Sequence, residues 1–500
     1  MSVAIETGSG TFESLNPATG EVLAEHPVHD ETAVRAAVER ARAAAVWWGS
    51  LGWRERRLRL LNVKGALTRD LGRLAELIHQ ETGKPVSDAI LEVAATVTHL
   101  DWAARHAQKV LGPRGVYPGV VALHQKCTLE YHPLGVVGVI GPWNYPLFTP
   151  MGSIAYALAA GNAVVFKPSE YTPGVGTLLA EIFETVVPEQ PVLQVVTGLG
   201  PTGAALASSD VYKIAFTGST ATAKKVMAAC AENLTPIVAE CGGKDAFLVD
   251  ADADLDAAAS AAVWGAMSNA GQTCVGVERV YVVEDVYDAF IGKLTERAEA
   301  LRAGAGAEAS YGPITMPRQL DVIERHIKDA LDKGGTAVVG GPESVRRPYV
   351  DPVVLTNVPE DSTAVSEETF GPTVTVTKVK DLDEAVVKAN ATSYGLAAAV
   401  FAGSRSRAMD VSRRLRSGMT SINAVIAFAS IPGLPFGGVG ESGFGRIHGA
   451  DGLREFARAK AITRQRFNPP IDLTSFARGD KEMRRLTRVV TFLHGRRYGR

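Results

Sequence analysis

What most constrains the fold of this 500-residue chain is a change of hydrophobic period near residue 134. Before it, "DETAVRAAVERARAAAVWW" and "RERRLRLLNVKGALTRDLGRLAELIHQETGK" repeat apolar residues at three- and four-residue spacing, the period of an amphipathic helix. Gly83 and Pro85 end the second of these. After it come short β-branched runs separated by helical segments: "GVVGVI", "NAVVF", "VLQVV", "KIAF" and "PIVAEC". Continuous apolar strands alternating with helices need a parallel sheet covered on both faces, which predicts a doubly wound α/β lobe. "VERVYVV", "TAVVG", "TVTVTKV" and "AAAVFA", with helices such as "LDEAVVKAN" between them, predict a second α/β lobe. Between the helical third and the first strand, "GPRGVYPGVVALHQKCTLEYHP" reads as a Gly/Pro-bounded hairpin.

Composition narrows the function classes. With 46% hydrophobic and 21% charged residues, this reads as an ordinary soluble globular chain of two or three domains. No run approaches the roughly 18 to 20 apolar residues of a membrane span, and the first thirty residues lack a signal-peptide pattern, so a cytoplasmic protein is expected. Cys127, Cys230, Cys241 and Cys274 show no CxxC pairing, and the histidines are scattered, so neither a disulfide framework nor a metal site is expected. A net charge of −2 gives no reason to expect nucleic-acid binding. The tail differs. From Arg464 to Arg500, ten Lys/Arg stand against three Asp/Glu, a net +7 that leaves −9 on the rest. Within it "KEMRRLTRVVTFLHGRR" puts Met483, Leu486, Val489, Val490 and Leu493 on one helical face, which suits packing on protein or, alternatively, peripheral contact with an anionic membrane.

Five stretches offer chemistry. "PWNYP", Pro142 to Pro146, presents Asn144 from a stiff loop, either as an oxyanion donor or as the cap of the next helix. "FKPSE" places Lys167 and Glu170 after an apolar strand, to meet ribose hydroxyls or merely solvent. "FTGSTATAKK" turns a strand into a helix through Gly218 and Ser219 and so aims backbone amides at an anion, although it lacks the full GxGxxG spacing. "AECGGKDAF" ends a strand on Glu240, either a carboxylate of raised pKa fit for general-base work or a solvated loop residue. In "SNAGQTC", Cys274 closes a small polar turn, an odd place for a packing thiol.

Taken in order, "PWNYP", "FKPSE", "FTGS", "ECGGK", "GQTC", "EETFGP" and "PFGGVGESGFGR" resemble the aldehyde dehydrogenase superfamily from about Asn16 to Phe467. The resemblance implies a Rossmann-type cofactor domain, an α/β catalytic domain and a β-hairpin oligomerisation arm. The expected boundaries are residues 1–111 and 133–243 for the NAD-binding domain, 244–445 for the catalytic domain, 112–132 and 446–468 for the arm, and 469–500 for the basic tail. It also implies Cys274 as nucleophile, Asn144 as oxyanion donor and Glu240 as the base that activates water against a thioester. Trp143, Lys167, Ser169, Glu170, Gly218, Ser219, Glu368 and Phe370 would contact the coenzyme, and Glu170 favours NAD while leaving NADP possible. A homodimer or homotetramer is implied as well.

Three departures stand out. Ala223 replaces the second glycine of the GSTxxG pattern, Cys241 the Leu after the base, and Ile447 a Glu that can relay protons. The expected substrate pocket, Tyr145, Phe148, Thr273, Val275 and Phe428, is mostly apolar and holds no Arg, which suits an aliphatic or aromatic aldehyde rather than a semialdehyde such as succinate semialdehyde. A coenzyme-independent cysteine esterase is the competing reaction class, although no His flanks the Cys274 motif.

Overall fold

Five of the six strands of the first sheet come from the β-branched runs, and their spatial order is Gly443–Phe444, Ile237–Glu240, Lys213–Thr217, Val136–Ile140, Ala163–Lys167, Leu193–Val195. All neighbours are parallel except Gly443–Phe444, which closes the edge antiparallel to Ile237–Glu240. This computed structural model describes residues 6–7, 10–469, 475–476 and 478–495. The last residues of the basic tail, 496–500, lie outside them.

Four helices precede the sheet: α1 (Glu31–Ser50), α2 (Trp53–Arg69), α3 (Leu71–Thr82) and α4 (Val86–Leu111). Asp30 caps α1 by accepting from the Ala33 amide at 2.8 Å. The long second helical pattern divides at Asp70 into α2 and α3, and α3 stops at Gly83 in the left-handed conformation, φ 74°. Ahead of α1, Glu6–Thr7, Thr11–Leu15 and Val22–Pro27 form a three-stranded antiparallel sheet that helical periodicity does not announce.

The crossover helices are α5 (Phe148–Ala160), α6 (Pro173–Val186), α7 (Gly200–Ala207) and α8 (Thr220–Glu232). A seven-stranded sheet follows, ordered Thr336–Val339, Val353–Thr356, Thr373–Val379, Val277–Val283, Asp245–Val249, Ala397–Phe401, Met419–Ile422 and parallel but for its first strand. Asp245–Val249 begins on a charged residue and so lacks the look of a core strand, yet all five of its residues are buried between two neighbours. The helix α9 (Leu255–Met267) packs an alanine-rich face onto this sheet beside Phe247, Val280 and Val282.

The chain divides into two units, Met1–Leu111 with Pro133–Arg458, and Gly112–His132 with Ala459–Arg500. In the second, Arg114–Val116 pairs antiparallel with Gln125–Pro133, the hairpin read from the sequence, and Ala457–Gln465 adds a third strand. The returning segment, expected from residue 446, joins this unit only at Ala459, because Leu453 and Phe456 are wholly buried in the first. The C-terminal helix Asp480–His494 buries no residue, and no described helix is long and apolar enough to cross a membrane.

Candidate active site

In the six-stranded sheet Val136–Ile140 lies beside Lys213–Thr217, although two strands separate them in sequence. Winding therefore reverses between them, which opens a crevice beyond their carboxyl ends. Ile140 leads into Trp143 and Asn144, and Thr217 into Gly218 and Ser219, while Lys167 and Glu240 end two further strands of the sheet. The seven-stranded sheet contributes residues that precede its strands: Cys274 before Val277–Val283, and Glu368 with Phe370 before Thr373–Val379. Gly242 and Gly243 join the end of one sheet to the start of the other. The resulting cleft of about 730 Å³ is lined by Trp143, Asn144, Lys167, Ser169, Glu170, Gly218, Ser219, Cys241, Cys274, Glu368 and Phe370.

The loop before the thiol is strained. Asn269, Ala270 and Gly271 are three consecutive left-handed residues, at φ 53°, 56° and 71°. Such a conformation costs a non-glycine residue about 1–2 kcal/mol, so the surroundings must hold it. They do so through hydrogen bonds. Gln272 Nε2 donates to the Asn269 carbonyl at 2.9 Å, Gln272 Oε1 accepts from the Thr315 amide at 2.8 Å, and Asn269 Nδ2 donates to the Gln272 carbonyl at 3.1 Å. Asn144 joins this network: its Nδ2 donates to the same Gln272 carbonyl at 3.0 Å. Asn144 is therefore not a helix cap; α5 starts after Leu147 with no side-chain cap.

Carboxyl groups dominate the electrostatics. Glu240 is 4% exposed, its Oε1 has no partner, and Oε2 receives only the Thr217 hydroxyl at 3.3 Å. Burial raises it to about 7. This excludes the solvated-loop reading. Glu368, half-buried on the cleft wall and accepting from the Gly243 amide at 2.9 Å, is raised to about 8 by desolvation and by Glu278. Burial pushes the Cys274 thiol well up, and Glu240, Glu368 and Asp245 push the same way. Part of Cys274 stays open to the cleft, so the thiol is accessible but protonated at neutral pH, and its activation needs a base. Cys241 is held up to about 12 by burial and the same two glutamates, as befits a packing thiol.

The rest of the cleft suits a dinucleotide. Ser219 caps α8 by accepting from the Thr222 amide, and Gly218, with no side chain, leaves the turn bare toward the cleft. Lys167 is buried with Nζ 3.5 Å from Glu170 Oε2, and Ser169 Oγ lies 3.4 Å from the same oxygen, a polar group shaped for hydroxyls. Gly242 lets the Glu368 carboxylate lie close against the backbone, and a Cβ there would make that carboxylate move. Phe370, at φ 51°, meets Trp143 edge-on at 5.6 Å. The Ala223 methyl is buried away from the cleft, which α8 lines with Thr222, Lys225 and Val226. Among the described residues no cluster of His, Cys, Asp or Glu could hold a metal.

Of the expected pocket residues, Tyr145 and Thr273 meet directly, hydroxyl to hydroxyl at 3.0 Å. Phe148 packs on His448 and His99, Phe428 on Phe436, and Val275 is buried. Sequence reading missed the supports: Asp245 beside the thiol, Thr217 on the base, and Glu278, which accepts from the Thr369 and Phe370 amides at 2.9–3.0 Å and pairs with Lys244. Only the charged residues inside otherwise apolar strands, such as Glu278 in "VERVYVV", could have signalled them.

Residues 4–462 match the model of the Aldehyde dehydrogenase family. The chain is 37% identical over 449 residues to the 4,4'-diapolycopene aldehyde oxidase of Methylomonas sp, covering 89% of this chain and 84% of the relative. It is 35% identical over 460 residues to the glutarate-semialdehyde dehydrogenase of Pseudomonas aeruginosa, covering 90% and 94%. The crystal structure of PnpE in complex with nicotinamide adenine dinucleotide superposes with a TM-score of 0.87 at 33% identity, covering 93% of this chain and 96% of that one. The chain belongs to the aldehyde dehydrogenase family, NAD(P)-dependent oxidoreductases that act on aldehydes.

Proposed function

We propose that this enzyme oxidises an apolar aliphatic or aromatic aldehyde to its carboxylic acid through a covalent intermediate on Cys274. The observation that carries the reading is the meeting of Asn144 and Cys274 in one cleft, with the carboxyl of Glu240, its Oε1 without a partner, close enough to raise the thiol's pKa. Glu240, raised to about 7, takes the Cys274 proton, and the thiolate attacks the aldehyde carbon. One Asn144 amide hydrogen is held by the Gln272 carbonyl, which leaves the other for the oxyanion of the thiohemiacetal. Bound NAD(P) supplies the hydride acceptor. Lys167, Glu170, Gly218, Ser219, Glu368 and Phe370 would hold it, with Trp143 and Ser169 on the walls. Once Glu240 has released the thiol proton to solvent, it deprotonates the water that hydrolyses the Cys274 thioester, and Ile447 supplies no second carboxylate to help.

The substrate reading rests on what the pocket withholds. Tyr145, Phe148, Thr273, Val275 and Phe428 carry no charge, and the cation nearest Tyr145, Lys84, is already paired with Glu92. A free carboxylate on the substrate would find no partner there. The 4,4'-diapolycopene aldehyde oxidase favours the apolar reading, whereas the glutarate-semialdehyde relative favours a semialdehyde. Reduced-coenzyme absorbance over hexanal, benzaldehyde and succinate semialdehyde decides between them. A clear preference for the semialdehyde overturns the apolar assignment, and ester hydrolysis without any aldehyde oxidation revives the hydrolase.

A homodimer or homotetramer is part of this reading. The hairpin exposes Val116, Tyr117, Val120, Val121 and Leu123, and the C-terminal helix exposes Met483, Val489 and Val490. We assign both surfaces to contacts between copies, and the helix to these rather than to a membrane. A monomer by light scattering, or sedimentation with anionic liposomes lost on truncation at Phe467, contradicts that assignment.

A further inference from the structure

Behind the loop that presents Asn144 lies a buried ion pair with no place in the chemistry above. Lys84 Nζ stands 2.7 Å from Glu92 Oε2, and the two side chains are 1% and 0% exposed. Lys84 follows the left-handed Gly83 at the end of α3, and Glu92 lies on α4. Both spend their remaining hydrogen-bonding capacity on one segment. The ammonium donates to the Asn144 carbonyl at 2.8 Å and sits 4.1 Å from the Tyr145 ring centroid. Glu92 Oε1 accepts from the amides of Leu147 at 2.9 Å and Phe148 at 3.1 Å, at the start of α5. Tyr145 carries the connection onward, since its hydroxyl meets Thr273 Oγ1 beside the nucleophile.

Burying two charges is costly, and apolar replacements of buried ion pairs are often as stable or more so. Stability is thus a poor reason for this pair. Its geometry supplies a better one: every bond it makes beyond itself falls on the stretch from Asn144 to Phe148. An oxyanion donor accelerates a reaction only when aimed before the charge develops, which requires a rigid support. We propose that Lys84 and Glu92 are positioning residues that hold the Asn144 amide in place and tie it, through Tyr145 and Thr273, to Cys274. The proposal rests on the roles given above to Cys274 and Asn144.

Two reactions of the same thiol separate positioning from folding. Acylation by p-nitrophenyl acetate develops an oxyanion, whereas alkylation by iodoacetamide does not. Asn144→Ala should slow acylation by about 100-fold or more, the usual loss for an oxyanion donor, and Lys84→Met by at least about 10-fold. Both should alkylate within about threefold of wild type, because no oxyanion forms. Lys84→Met should add nothing in an Asn144→Ala background, since it acts through Asn144. Glu92→Gln, which preserves shape, should slow acylation in the same selective way and serves if Lys84→Met does not fold. Normal acylation in Glu92→Gln or Lys84→Met, equal slowing of both reactions, or full additivity with Asn144→Ala overturns the proposal. A wild-type enzyme that oxidises aldehydes without labelling at Cys274 overturns the underlying assignment of the nucleophile instead.

Discussion

Asn144 donates from Nδ2 to the Gln272 carbonyl at 3.0 Å, so the amide expected to meet the oxyanion is anchored to the same loop that delivers Cys274. Donor and nucleophile cannot drift apart independently. Asn144→Ala is expected to lower kcat/KM for aldehyde oxidation by about 10²–10³. The Gln272 carbonyl keeps its bond from Asn269, so the stability cost should stay near 1 kcal/mol. Steady-state rates set against denaturant midpoints check both halves.

The strained turn predicts a sharper structural effect. Gly271 sits at φ 71°, and a Cβ there would overlap the Gly371 carbonyl. Gly271→Ala should therefore cost about 2 kcal/mol or more and remove activity, since the backbone before Cys274 must move. Gly72→Ala is the control. Gly72 lies within α3 with nothing within 4 Å of its Cβ position, so that change should be neutral or stabilising by up to about 1 kcal/mol.

Glu240 links activity to pH. Burial raises it to about 7, so the base is charged only above that point, and turnover should climb through pH 7 to a plateau. Glu240→Gln should abolish the climb and slow both proton removals, thiol activation read by iodoacetamide labelling of Cys274 and thioester hydrolysis read by steady-state turnover. The sign for stability is opposite. A carboxyl whose folded pKa lies above its unfolded value of 4.5 stabilises fully at low pH, and that contribution disappears as pH rises through about 7. Wild type should thus lose more stability than Glu240→Gln between pH 5 and pH 9 in thermal melts.

Coenzyme choice rests on Glu170. Its carboxylate lies 3.5 Å from Lys167 Nζ on the wall of the cleft, where a 2′-phosphate would add a like charge. NAD should be preferred, and Glu170→Ser should raise kcat/KM for NADP relative to NAD by about 10-fold. An unchanged ratio would show that Glu170 does not face the adenosine ribose.

Alternating apolar runs and helical periods were enough to determine two α/β lobes, because a parallel strand buried on both faces must be continuously apolar. The ordered motifs were enough to place Asn144, Lys167, Gly218, Glu240, Cys274 and Glu368 among the candidates through their resemblance to the aldehyde dehydrogenase series, and Lys167 and Glu240 also stand out as charges that end apolar strands. Tertiary structure alone decided what those residues experience. Glu240 in "AECGG" reads equally as solvated until the fold encloses it and leaves Oε1 without a partner. Asn144 reads as a helix cap until Gln272, 128 residues away, accepts its amide hydrogen. Lys84 and Glu92 carried no local sign of a role, and Asp245 and Glu278 only a charge in an otherwise apolar strand, because a charge reveals its purpose through partners that only the packed chain brings within a few ångströms.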